Sequence, residues 1–153
     1  MNFTKEYIEE CDCKEIQGLR KELKVGDWYL EIKVGIEIRV VNRLDFEDGD
    51  CIIISSFTGY PPYQYRYQRK EVIWLPTGDQ LDDEIERICK EKYEWYNWIY
   101  HTESGLDSSK TKMRYYAFIV DNQERPICGD TCIIVYNPLI AKILLLKQLL
   151  KEQ

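Results

Sequence analysis

Between residues 60 and 70 the chain reads YPPYQYRYQRK, a run in which tyrosines alternate with polar and cationic side chains. Tyr60, Tyr63, Tyr65 and Tyr67 offer aromatic faces that stack on a base, while Arg66, Arg69 and Lys70 can neutralise a phosphate. That pairing is the chemistry of nucleotide and single-strand sites. The same residues also suit an edge strand, with Tyr turned to a core and Arg, Lys and Gln discouraging pairing with another chain. The edge-strand reading is favoured, because edge protection is a general need. The stretch is still where a ligand-binding site is expected if the chain has one.

Other chemistry-bearing residues are less promising. Cys11-x-Cys13 and Cys128-x-x-x-Cys132 could together supply four thiolates, but only the second pair has the two-to-four-residue spacing of a structural zinc site. Free thiols are the expectation, with no metal and no cofactor. Catalysis by histidine would have to use His101, the only one, in a polar stretch with no nucleophile motif beside it. G-x-S-x-G, the P-loop and G-x-G-x-x-G are all absent from the sequence. Asp82, Asp83, Glu84 and Glu86 fall in the first turns of a predicted helix, where acids complement the dipole. A solvated helix face is the better reading of them. No catalytic residue is assigned, and an enzyme is not expected.

The elements that would position these residues are best defined around 71–92. Val72 to Leu75 is a short apolar run ended by Pro76, and Thr77 with Gln80 has capping-box spacing, so a helix should start at Gly78. Leu81, Ile85, Ile88 and Cys89 then form one apolar stripe, expected to share a core with Trp74 and the last helix. Thr4 predicts an N-cap for a short helix over 4–11, whereas 11–23 reads as a turn and an irregular link. Residues 28–40 alternate, with Trp28, Leu30 and Ile32 on one face and Tyr29 and Glu31 on the other. Gly35 there marks either a hairpin turn or a bulge. Residues 42–50 read as an acidic loop, 51–57 as a strand, 58–62 as a turn and 63–70 as a strand. Further along, 93–100 is expected as a strand, 101–110 as a polar loop, 113–120 as a strand, 121–126 as a turn and 131–136 as a strand. Asn137-Pro138 predicts an N-cap with Pro at the first helical position, followed by a helix with a stripe of Leu139, Ile140, Ile143, Leu144, Leu146, Leu149 and Leu150. The fold class implied is α+β, a mostly antiparallel sheet of six to seven strands with two main helices packed on one face.

At 153 residues the chain is expected to be a single domain with a core of its own. With 44% hydrophobic and 31% charged residues it is neither disordered nor membrane-spanning in composition. A net charge of -6 lacks the field expected of a duplex nucleic-acid binder. The first residues, MNFTKEYIEECDC, have no apolar signal-peptide core, so the expectation is a reducing, cytoplasmic compartment and no membrane partner.

The pieces Cys11-Asp-Cys-Lys-Glu-Ile-Gln-Gly18, Gly26-Asp-Trp28 and Ile73-Trp-Leu-Pro76 followed by Asp79-Gln-Leu81 are similar, in order and spacing, to a group of small bacteriophage and prophage proteins of Gram-positive hosts. The resemblance covers roughly the first 90 residues and carries no catalytic or binding residues with it. It implies a phage accessory protein acting in the host cytoplasm, and many such proteins bind and block something of the host's. The expected function is therefore a non-enzymatic inhibitor or sponge directed at a host defence pathway, sequestering a nucleotide-type ligand. A protein-binding inhibitor with an acidic or aromatic surface is the alternative, and a hydrolase or transferase using His101 a further one. Self-association stays open.

Overall fold

The structure, a computed structural model, describes residues 3–32, 38–47, 50–57, 63–93, 98–106, 113–121, 123–128 and 135–151. At 46, 47, 50–52, 54–57, 63–66, 98–103, 106, 113, 116 and 126–128 the description is of the backbone alone. Among the described residues there are four α-helices, one short 3-10 turn and nine strands. The architecture is α+β with antiparallel pairing throughout.

The expected sheet of six to seven strands is not found: among the described residues the strands fall into three sheets of three. Local alternation reports that a segment is extended, but which segments pair is decided by long-range register. The chain also divides into two compact units, Met1–Glu10 with Thr77–Gln153, and Cys11–Pro76.

In the first unit, α1 (Lys5–Cys11) begins there and is capped by the Thr4 hydroxyl, which accepts from the Tyr7 amide at 3.2 Å. Helix α3 (Gly78–Lys92) opens on the predicted capping box. Thr77 Oγ1 accepts from the Gln80 amide at 3.3 Å, and Gln80 Oε1 accepts from the Thr77 amide at 2.8 Å. Leu81, Ile85, Ile88 and Cys89 are its buried residues, as the stripe predicts. Helix α4 (Pro138–Lys151) starts where expected, with Asn137 Oδ1 accepting from the Leu139 amide at 2.9 Å. Its buried face differs from the expected one. Ala141 and Leu145 are buried, and Leu139, Ile140, Leu144 and Leu150 are only half-buried. This helix is apolar nearly all round and packs on α3 as well as on a sheet, so the pattern alone does not set its phase.

That sheet comprises β7 (Trp98–Leu106), β8 (Met113–Asp121) and β9 (Pro126–Cys128), with β8 in the middle. Helix α4 lies against β8 and β9, burying Ala117 and Ile119 in the unit's core. The loop expected from residue 101 is strand as far as Leu106, because β8 pairs with β7 along its whole length. Strand β9 was not expected. Of the strand expected over 131–136, residues 129–134 lie outside the described residues, and Val135 makes an isolated bridge with Tyr115. Residues 94–97 and 107–112 likewise lie outside the described residues.

The second unit begins with α2 (Lys14–Leu19), where an irregular link was expected. Gly18 sits next to the last residue of this short helix, so it costs little there. Strand β1 (Trp28–Glu31) pairs on one side with β2 (Ile38–Val40) and on the other with β6 (Val72–Leu75). The antiparallel register Trp28↔Val40 to Leu30↔Ile38 means the chain reverses between them; Gly35 itself lies outside the described residues. The expected faces are only half right. Tyr29 and Glu31 are buried along with Leu30, and Ile32 is 53% exposed. A central strand buried on both faces has no polar side to show.

The remaining sheet is β3 (Arg43–Glu47), β4 (Asp50–Phe57) and β5 (Tyr63–Gln68), in that order. The expected acidic loop over 42–50 is therefore largely strand, closing a hairpin with Glu47 opposite Asp50. Within β3 the charged residues Arg43, Asp45 and Glu47 fall at every second position, which a strand tolerates. The turn expected over 58–62 lies outside the described residues. After β5 the chain makes one 3-10 turn, Arg69–Glu71, before β6.

Candidate functional site

Strand β5 pairs with β4 from Phe57↔Tyr63 to Ile52↔Gln68 and, among the described residues, is the outer strand of its sheet. Of the seven residues singled out, Tyr60 lies outside the described residues. Tyr63, Tyr65 and Arg66 are described by backbone alone. Tyr67, Arg69 and Lys70 can be followed to their side chains, and they do three different things.

Tyr67 turns inward. Its hydroxyl donates to Glu31 Oε2 at 2.6 Å, the length of a charge-assisted O–H···O⁻ bond. Its ring meets Tyr29 edge-on at 5.9 Å between centroids. Glu31 is only 6% exposed, so this hydroxyl supplies a hydrogen bond that a buried carboxylate requires. Burial pushes the Tyr67 pKa well above its ordinary value, and the Glu31 hydrogen bond and charge push the same way. The positive charge of Arg39 opposes them.

Arg69 is occupied by the fold. Nε donates to the Arg20 carbonyl at 3.1 Å and Nη1 to the Val72 carbonyl at 3.0 Å. Nη2 donates to the Arg20 carbonyl at 3.0 Å and to Gln17 Oε1 at 2.9 Å. Desolvation lowers its pKa, and the charge of Asp27 resists that fall. Lys70, by contrast, is exposed.

Around Arg69 stands a polar cluster that the sequence reading did not assemble. Arg20 grips Asp27 through both oxygens, at 3.0 and 2.9 Å, and the Lys24 amide adds a third bond at 2.7 Å. The Asp27 side chain is only 2% exposed, so its charge is tolerated only because it is paired and hydrogen-bonded. The Arg20 guanidinium also lies 5.5 Å from the centre of the Trp74 ring. Gln17 completes the cluster by bonding both the amide and the carbonyl of Trp74, at 2.9 and 3.0 Å. Its carboxamide thus stands where a neighbouring strand would, on the side of β6 that pairs with no strand among the described residues. Gln17, Asp27 and Trp74 come from the segments Cys11–Gly18, Gly26–Trp28 and Ile73–Pro76 singled out in the sequence. Their signal was the motif itself, read without its geometry.

The other candidates are placed as follows. His101 sits on β7 opposite Phe118 and is described by backbone alone. On α3, Asp82 pairs with Lys142, Glu84 with Arg87 and Glu86 with Lys90, while Asp83 is exposed. Glu84 and Glu86 thus form pairs along the helix surface, and Asp82 ties α3 to α4. Cys11 and Cys89 are buried and Cys13 is half-buried, and none of the three is in a disulfide. Cys132 lies outside the described residues, and Cys128 is described by backbone alone. Among the described residues no three of His, Cys, Asp and Glu gather where they could hold a metal ion, and no helix is long and apolar enough to cross a membrane. Compared with protein-family models, curated proteins and solved structures, the chain matches none.

Proposed function

We propose that the chain is a non-enzymatic binding protein of phage origin that acts in the host cytoplasm by contacting a host protein, with capture of a nucleotide-type ligand as the second reading. One observation supports this order. Two of the residues that a base-and-phosphate site would use, Tyr67 and Arg69, are committed to Glu31 and to backbone carbonyls inside the second unit. Releasing Arg69 for a phosphate would strip donors from the part-buried carbonyls of Arg20 and Val72, and a buried group left unsatisfied costs about 1–3 kcal/mol at most sites. A ligand would have to repay that before gaining any affinity.

The partner class follows from charge. The protein carries a net charge of -6, and Asp79 and Asp83 are exposed on α3. A partner presenting a basic surface, as nucleic-acid enzymes do, would associate faster with such a protein. The nucleotide reading keeps Lys70, exposed directly after an outer strand, and Arg66.

Titration calorimetry of the full chain against mono-, di- and cyclic nucleotides separates the two. The protein-partner reading expects nothing tighter than about 100 μM. Low-micromolar binding that disappears in Arg66→Ala or Lys70→Ala would reverse the order.

A further inference from the structure

We propose that residues 11–76 are a module inserted into the first unit, closed at its neck by the carboxamide of Gln17, and that the module opens as one block while the first unit stays folded. The first unit is discontinuous in sequence, made of Met1–Glu10 and Thr77–Gln153, with Cys11–Pro76 between its parts. Within the module the two ends are tied by one side chain. Gln17 Nε2 donates to the carbonyl of Cys11, the first residue, at 2.9 Å, and to the carbonyl of Trp74, near the last, at 3.0 Å.

The other side of the same carboxamide is equally occupied. Gln17 Oε1 accepts from the Trp74 amide at 2.9 Å and from Arg69 Nη2 at 2.9 Å. A carboxamide has two donors and two acceptor lone pairs, so all four valences of Gln17 are spent on holding residues 11, 69 and 74 together. Arg69 doubles the tie by joining the carbonyl of Arg20 to that of Val72. An insertion whose ends lie side by side can be accommodated without distorting its host. Segments closed by their own contacts open as cooperative blocks with a free energy of their own.

Hydrogen exchange of the full chain, read by mass spectrometry under native conditions, tests this. Gln17→Ala is expected to accelerate amides of α2, β1 and β6 by about tenfold or more, since four part-buried hydrogen bonds are lost, with α4 and β8 unchanged. Leu146→Ala, in the core of the first unit, is expected to do the converse. Equal acceleration of both units in either variant overturns the proposal, as does loss of all protection in Gln17→Ala. Unchanged exchange of α2, β1 and β6 in Gln17→Ala overturns it too.

Discussion

Glu31 and Tyr67 make a short bond at 2.6 Å between a carboxylate that is almost wholly buried and a hydroxyl from another sheet. The hydroxyl is useful there only while it keeps its proton. Burial and the neighbouring carboxylate raise its pKa in the folded protein above the ordinary value of 10.0. Below pH 10 both folded and unfolded chains hold the proton, so the stability contributed is fully present. As pH rises past 10 the unfolded chain releases its proton first, and stability falls toward the folded pKa. Urea midpoints measured from pH 8 to 11 should therefore decline above pH 10, and Tyr67→Phe should flatten that decline. The variant should also be less stable at pH 8, because Glu31 loses its donor. An alkaline slope unchanged by the substitution would mean that Tyr67 is not the group titrating.

Among the elements, α3 shows how much a well-written segment declares about itself. Its start, its cap and its buried stripe can all be read from 77–92, because each is set by residues within one or two turns. Leu81→Ala or Ile85→Ala is expected to cost about 2–5 kcal/mol in urea unfolding, and Thr77→Ala about 1 kcal/mol. A loss below about 0.5 kcal/mol at Leu81 or Ile85, the range of ordinary surface changes, would contradict their burial. Strand β3 shows the opposite case. Its alternation of Leu44 and Phe46 with Arg43, Asp45 and Glu47 was hidden under an acidic composition, and only pairing with β4 makes it a strand. Buried Glu31 was equally illegible, since the Tyr67 hydroxyl that admits it to a core lies 36 residues away in sequence. The stretch over 60–70 was visible as unusual, but whether its cations face a ligand or the fold depends on α2 and the loop after it, which carry Gln17 and Arg20.

At the scale of the molecule, Arg69, the residue most suited by type to a phosphate, serves instead as the fastener between Gln17, Arg20 and Val72. It is a demanding role. A lysine could not reproduce the planar fork, so Arg69→Lys should recover little of what Arg69→Ala loses. The protein-partner reading and the latched module both depend on this role. Equilibrium urea unfolding of Arg69→Ala beside the parent is the most direct measurement. The expected loss is about 2–4 kcal/mol, from several charge-assisted bonds to part-buried acceptors. A variant within about 0.5 kcal/mol of the parent would contradict it and return Arg69 to the surface as a free cation.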